Sequence, residues 1–491
     1  MEPNRREVAS NAASSIVDPL APNYGDVHYE ALQSMWLSFQ VWTTVSCLTD
    51  ELKEHTVLLR GWIQTIRPMS KKMAFLTVRE NGCTVQCVLT AQATDVLVSE
   101  DMIKYATSIT KESFVEIEGV VMVPRHAIKD ASQQVEVHVR KICCVNRAPR
   151  VLPLSVEDAS RSEAAIEKAL QNGVQLVRVN QDTRSKYRFM DLRTPANNGI
   201  ARLQSQVLNL WQFLLNEDFE EIRSPAINEG SSEGGAAVFK LDYFGQPACL
   251  AQSPQLHKQM AICGGLPRVF SVTDVFRAEK SYTHRHLCEF TGLDVEMVIT
   301  SHYFEVMDVV DRLFVEMFDT LNQNQKCQRL LQAIKNQYPF KPLKDAGIEV
   351  DPLGDLNTET ERALGKLVLE KYGAEFYMLL HRFPLADRPF YTMPCHDNEA
   401  YSNSFDVFIR GEEIISGGQR VHVHEKLETR AIECGIDVKT MSAYMDAFRY
   451  GAPPPHGGFG VGLERVVMLL CGLDNIRKVS LFPRDPRRLA P

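Results

Sequence analysis

One stretch constrains this chain more than any other: residues 268–299, RVFSVTDVFRAEKSYTHRHLCEFTGLDVEMVI. Apolar and polar residues alternate on both sides of a polar loop, the pattern of two paired strands. The first arm aligns Val269, Thr273 and Val275 with Arg277 and Glu279. The second arm sets His286, Phe290, Asp294 and Glu296 on one face and Leu293, Val295 and Met297 on the other. The apolar side demands a core. The polar side places a cation and an aromatic ring among carboxylates, which a merely solvated face does not require. Phe290 suits stacking against a flat base, and Arg277 suits clamping a phosphate. A plain solvated hairpin face is the alternative.

The rest of the chain bounds what that hairpin can belong to. With 491 residues there is room for two or three domains, and the fractions of hydrophobic (44%) and charged (24%) residues are those of globular protein. No apolar run reaches the 18 or so residues of a membrane helix. The start, MEPNRREVASNAAS, is polar and contains acids, unlike a signal or transit peptide. A net charge of −8 means that any nucleic acid must bind at local basic patches. The 12 cysteines are scattered without a C-x-x-C, which argues against structural zinc or a disulfide framework and for a reducing compartment.

Residues 1–54 read as a weakly patterned extension with a short helix around Tyr29–Trp42. Residues 55–145 hold short β-branched runs separated by turns, and about five strands in ninety residues suit an OB-fold barrel. There Phe75 and Arg67, with Gln86 for base edges, are candidates for binding single-stranded nucleic acid, although Phe75 alone is more readily a core residue. MSKK at 69–72 reads as a turn. Residues 146–190 read as a hinge with one helical segment, and 191–491 as the catalytic domain.

In that domain an amphipathic helix from Pro195 places Ile200, Leu203, Val207, Leu210 and Leu214 on one side and leads to a strand, EEIRSP, ending at Pro225. EGSSEGGAAVF reads as a mobile loop able to carry Ser232 and Glu233, with a plain linker as the alternative. Ser253 should cap a helix that starts at Pro254, with Gln255 and Lys258 on one face of its opening turn. A lysine there opposes the helix dipole unless an anion binds; an exposed lysine is the alternative. Two helices within 301–385 look like packing and insertion. Residues 400–420 form a hairpin turning at Arg410–Gly411, with Asp406 and Glu413 on opposite arms and no cation between them, an arrangement that invites a hard divalent ion. Ser416 and Arg420 share a face; Glu413 joins them only through a bulge, for which Gly417–Gly418 is the candidate. Gly458, Gly460 and Gly462 leave one strand face bare for a flat ligand, and Arg465 follows in the first turn of a helix.

Together, F-R-A-E (276–279), the loop with His284 and His286, E-F-T-G-L-D (289–294) and G-x-G-L-E-R (460–465) resemble motifs 2 and 3 of the class II aminoacyl-tRNA synthetases. The segment ending at Pro225 resembles motif 1. S-E-G-G, Q-S-P-Q-x-x-K and S-G-G-Q-R narrow the resemblance to the aspartyl type of the eukaryotic and archaeal cytoplasmic branch. It implies an α+β protein with an N-terminal OB-fold anticodon-binding barrel and a catalytic antiparallel sheet flanked by helices, acting as a cytoplasmic homodimer. The implied substrates are L-aspartate, ATP and tRNA, with Mg2+ as cofactor.

The implied roles are as follows. Arg277 grips the α-phosphate; Phe290 and Arg465 sandwich the adenine or neighbouring phosphates, with Arg465 and His286 towards the γ-phosphate; Glu279 contacts the adenine side. Asp406, Glu413 and Ser416 hold magnesium. Lys258 and Arg420 receive the aspartate side chain, Asp294 orders the lysine, and Ser232, Glu233 and Gln255 surround the head group. The loop 280–285 meets the tRNA acceptor end, and Arg67, Phe75, Gln86 and Glu136 meet the anticodon. Asparagine would leave Lys258 and Arg420 without their anion, at a cost of several kcal/mol or ~10³-fold. The first 50 residues lack the Lys-rich extension of typical eukaryotic relatives, and GAPPPHGG carries an extra proline. An asparaginyl or lysyl enzyme, or an inactive RNA-binding relative, are the alternatives; the last expects losses at Arg277, Glu413 or Arg465, and all three are present.

Overall fold

The computed structural model describes residues 8–9, 18–32, 40–91, 97–209, 211–230, 237–339 and 358–491. Ser232, Glu233, Leu210 and residues 33–39 of the helix expected at Tyr29–Trp42 lie outside them. The chain divides into two units, Met1–Ser160 with Arg193–Asn198, and Arg161–Leu192 with Gly199–Pro491.

The first unit is a closed barrel. Its strands are β1 (Thr56–Ser70), β2 (Met73–Glu80), β3 (Cys83–Thr90), β4 (Phe114–Met122) and β5 (Glu136–Asn146). The circuit β1–β2–β3–β5–β4 closes back on β1 and is antiparallel except for β3–β5. Period-two alternation sends Leu59, Ile63, Leu76, Val78, Val85, Leu89, Ile117 and Val137 into the barrel core. A helix, Glu100–Ser108, adds Met102, Ile103 and Ala106, and Ser99 caps it by accepting from the Met102 amide. Residues Tyr24–Val27, assigned above to the extension, form a strand parallel to β5. Lys71 and Lys72 make the β1–β2 turn, as expected of MSKK.

The second unit is built on a seven-stranded sheet. Its strands are β6 (Glu220–Glu221), β7 (Arg268–Phe276), β8 (Glu289–Val298), β9 (Phe376–His381), β10 (Ser404–Ile409), β11 (Glu412–Gln419) and β12 (His456–Gly462), in the order β9–β10–β11–β12–β8–β7–β6. All neighbours are antiparallel except β6, which runs parallel to β7. The strand expected to run to Pro225 stops at Glu221, an edge position that suits the proline following it. The hinge region contributes four short helices instead of one: Val156–Ala159, Glu163–Gln171, Gln181–Lys186 and Arg188–Asp191.

The principal helices of this unit are α1 (Pro195–Asn209, which belongs to it from Gly199 onward), α2 (Gln255–Cys263), α3 (Phe304–Gln323), α4 (Thr358–Tyr372) and α5 (Leu463–Leu470). Ile200, Leu203 and Val207 of α1, Leu214, and Val306, Val309, Val310 and Leu313 of α3 pack on one side of the sheet. From the sheet itself come Phe270, Leu293, Val295, Met297, Val407, Ile409, Ile415, Phe459 and Val461. The residues between these in sequence necessarily face the other side. Among the described residues no helix is long and apolar enough to cross a membrane.

Candidate active site

The strand register assembles the site. Ser271, Asp294, Gly460, Ser416 and Asp406 stand in one row across β7, β8, β12, β11 and β10. In the next row Val269, Glu296, Gly458, Gly418 and Ser404 are aligned. Phe290, opposite Val275, lies further along β8 on the same face. Neighbouring strands are ~4.8 Å apart, so Asp294 and Asp406 bracket a floor on the order of 14 Å wide. That floor is partly bare. A Cβ on Gly460 would meet only the Asp294 carboxylate, and one on Gly462 only Arg465 Cβ at 3.9 Å. At Gly458 the expectation of an open face fails: Val295 O and the Glu296 carboxylate fill the space.

At one end of this floor is a buried charge cluster. Helix α2 starts one residue later than its sequence suggests. Pro254 is the N-cap, and Ser253 Oγ accepts only a long 3.4 Å bond from the Gln255 amide. Lys258 is fully buried, so the exposed-lysine alternative is excluded. Its Nζ donates to Asp294 Oδ1 at 3.1 Å and to Val295 O at 3.2 Å, and lies 3.7 Å from Glu296 Oε2. Glu296 is the hub: Arg420 donates Nε to Oε1 at 3.0 Å and Nη2 to Oε2 at 3.2 Å, and Gln255 Nε2 donates to Oε2 at 3.0 Å. Burial pushes the Glu296 carboxyl up, but Arg420 and Lys258 outweigh it and hold it below the ordinary carboxylate value. Sequence alternation put Glu296 on this face but gave it no role.

This cluster corrects the specificity argument. Lys258 and Arg420 each have a protein carboxylate, so asparagine would not strand them. What the cluster offers a ligand is the donors left over. Among the described residues no acceptor meets Arg420 Nη1. Behind the cluster, His456 is held neutral. Burial pushes it down, its Nδ1 donates to Pro454 O at 2.8 Å, and its Nε2 accepts from Gln259 at 3.1 Å.

The nucleotide candidates gather along β8 and α5. Arg277 and Glu279 lie past the end of β7, so strand alternation does not extend to them, although the Arg277 amide still pairs with Cys288 O. Arg277 Cζ stands 5.6 Å from the Phe290 ring centroid. Arg465, in the first turn of α5, donates Nη1 to Glu413 O at 2.9 Å and lies 3.8 Å from Glu413 Oε2. Burial and then the Arg465 charge push the His286 imidazole down, which keeps its ring neutral. Its Nδ1 bonds Thr283 Oγ1 at 2.5 Å. Glu464, buried beside Arg465, accepts from the Thr291 amide at 3.1 Å, and burial pushes it up to about 7.

Helix α4 does more than pack. Its Glu361 takes Arg285 at 3.0 Å, and its Arg362 reaches both Glu412 Oε1 at 2.5 Å and His284 Nε2 at 3.0 Å. His284 in turn lies 3.3 Å from Glu412. The loop after β7 is thereby tied to β11 and α4. These partners are distant in sequence, and nothing in the segment 358–372 announces them.

The carboxylates on the β10–β11 hairpin are arranged differently from expectation. The turn at Arg410–Gly411 is as read, both residues having φ > 0. A bulge does bring Glu413 onto the Asp406–Ser416 face, but it lies at Ile414, where Val407 pairs with Ile415 and Phe408 with Glu413; Gly417 and Gly418 stay in register. Asp406 does have a cation. Arg388 donates Nη1 to Oδ1 at 3.0 Å and Nη2 to Oδ2 at 2.7 Å, and Nη1 also meets Ser416 Oγ at 2.5 Å. The all-oxygen donor set of Asp406, Glu413 and Ser416 fits a hard ion chemically. Among the described residues no group of three or more His, Cys, Asp and Glu is placed to hold a metal.

In the barrel, the four expected residues come together on its surface. Arg67 pairs with Phe75 across β1–β2, with its Cζ 5.7 Å from the ring centroid. It donates to Gln86 Oε1 at 2.7 Å and to Asp130 at 2.9 Å, and Gln86 donates to Glu136 at 2.6 Å. Phe75 is half-buried and outside the barrel core, so the core alternative fails.

Comparison with known proteins gives the family of the chain. Residues 180–486 match the model of tRNA synthetases class II (D, K and N), and residues 57–143 match that of the OB-fold nucleic acid binding domain. The chain is similar to the cytoplasmic aspartate–tRNA ligase 2 of Arabidopsis thaliana, with 58% identity covering 96% of this chain and 89% of that protein. Among solved structures it resembles the aspartyl-tRNA synthetase of Entamoeba histolytica, with a TM-score of 0.86 and 37% identity over 99% of this chain and 98% of that one. It also resembles an asparaginyl-tRNA synthetase from Pyrococcus horikoshii complexed with asparaginyl-adenylate, with a TM-score of 0.76 and 30% identity over 93% and 100% of the two chains.

Proposed function

The chain belongs to the class II tRNA synthetases (D, K and N), and from that membership we infer that it ligates L-aspartate to tRNA through an aspartyl-adenylate, using ATP. Similarity to aspartate–tRNA ligases over nearly the whole chain favours aspartate over asparagine or lysine and an active enzyme over an inactive relative. The observation that carries the mechanism is that Phe290, Asp294 and Glu296 lie on one face of β8, so the base platform and the charge cluster share one floor.

The substrate α-carboxylate attacks the α-phosphorus of ATP in line and pyrophosphate leaves. The nucleophile is already ionised, so no general base is needed; positioning and charge neutralisation are the protein's task. Arg277 neutralises the α-phosphate and Phe290 stacks the adenine, with Glu279 at its edge. Arg465 and neutral His286 meet the terminal phosphates. Gln255, Lys258 and Arg420 present donors to the amino acid, while Asp294 and Glu296 hold the two cations in place; Ser232 and Glu233 complete the head-group site. Glu413, with Asp406 and Ser416, would hold a magnesium ion, which would supply charge neutralisation at the phosphates. The tRNA 3′-terminal hydroxyl then takes the acyl group and AMP leaves. Arg67, Phe75, Gln86 and Glu136 read the anticodon, and the loop 280–285 meets the acceptor end. The working form is a cytoplasmic homodimer.

Charging of transcribed aspartate and asparagine tRNAs with labelled aspartate tests this reading. ATP-dependent charging of the aspartate tRNA is expected. Binding of that tRNA without charging would identify the inactive relative instead.

A further inference from the structure

We propose that Arg388 is a resident cation of the Asp406–Ser416 pair which a divalent ion must displace, so that this pair stays closed to free metal and opens only to metal arriving with nucleotide. This rests on the reading of Asp406, Glu413 and Ser416 as the magnesium donor set. Arg388 engages both Asp406 oxygens and the Ser416 hydroxyl with one guanidinium. The fork is held from behind by Phe383, with Cζ 4.0 Å from that ring centroid. The Arg388 side chain is 11% exposed and that of Asp406 7%, so this is an enclosed pair and not a surface contact.

Charge balance gives the pair its selectivity. Arg388 stands against Asp406, and Arg465 against Glu413. A free divalent ion would bring two positive charges to carboxylates that already face cations, beside a guanidinium that shares its ligands; such repulsion is strong in a buried setting. Magnesium coordinates at ~2.0–2.1 Å, which leaves no room for an arginine fork on the same oxygens. A metal–triphosphate complex differs. Its phosphate oxygens give the departing planar guanidinium a bidentate acceptor in exchange for Asp406.

Manganese as a probe, counted by EPR in the full-length protein without nucleotide, tests this. Wild type and R388K should bind no Mn2+ at a site sensitive to D406N. R388M should gain one such site, binding at least tenfold more tightly than wild type, and R388M/D406N should lose it. A folded R388M that gains nothing would overturn the proposal. So would a nucleotide-free wild type with a D406N-sensitive site as tight as that of R388M. If R388M does not fold, the wild-type titration decides: a D406N-sensitive Mn2+ signal only in the presence of a non-hydrolysable ATP analogue supports displacement, and the same signal without nucleotide refutes it. Mn2+ bound with the analogue but indifferent to both D406N and E413Q would instead refute the donor-set reading, whatever Arg388 does.

Discussion

Lys258 is fully buried only because Asp294 and Glu296 reach it from a strand more than thirty residues later in the chain. Truncating it takes the cation from Asp294, leaves Glu296 to Arg420, and removes a donor from the end of the floor proposed to hold the amino acid. Lys258→Ala should lower aspartate-dependent pyrophosphate exchange by ~10³-fold or more, in line with about 4 kcal/mol for a broken buried pair. Glu296→Gln should cost both stability and binding. Arg420 would lose its bidentate partner, so denaturant unfolding should shift by about 3 kcal/mol and KM for aspartate should rise. The spacing Q-S-P-Q-x-x-K made Lys258 legible in the sequence. The hub function of Glu296 was not legible, because alternation assigns a face and says nothing of which side chains cross to it. Arg388 was invisible for the same reason: its partners Asp406 and Ser416 lie 18 and 28 positions away.

At the scale of elements, the β7–β8 hairpin and the glycine strand β12 were legible as strands from period-two patterns, since alternation is a local property, but the pattern overran the strand end at Arg277 and Glu279 and wrongly left Gly458 open. The bulge was misplaced. A register shift is settled by what packs beneath it, and here Ile414 and Ile415 both enter the core. The glycines give a paired test. Gly458→Ala would drive a Cβ to 2.0 Å from Val295 O, so it should destabilise the sheet severely, seen as a large drop in Tm. Gly460→Ala meets only the Asp294 carboxylate, at 2.9 Å, so it should lower Tm far less than Gly458→Ala and raise KM for aspartate by displacing the Lys258 partner. In the barrel, Phe75→Ala should lower kcat/KM for tRNA on the order of tenfold, the value of one lost base stack, while pyrophosphate exchange without tRNA stays normal.

At the scale of the molecule, the order of barrel and catalytic unit was plain from composition and motif order. The strand Tyr24–Val27 was not, because four residues carry too little pattern to be told from a loop. The catalytic unit should also show an acid limit. Burial pushes Glu412 up, but hydrogen bonds and charge from His284 and Arg362 outweigh it and hold the carboxyl at about 2, below its ordinary 4.5. A group depressed in the folded state binds fewer protons there than when unfolded. Its stabilisation is therefore complete above pH 4.5 and is lost as pH falls towards 2. Glu412→Gln should flatten that limb of the stability–pH curve measured by denaturant titration.

The central claim is that one sheet face holds a nucleotide beside a cluster whose spare donors select a carboxylate side chain. ATP–pyrophosphate exchange by the purified full-length chain, without tRNA and with aspartate, asparagine and lysine in turn, tests it most directly. Exchange with aspartate alone, lost in Lys258→Ala, is the expected result. Equal exchange with asparagine, or near-normal exchange after Lys258→Ala, would contradict it.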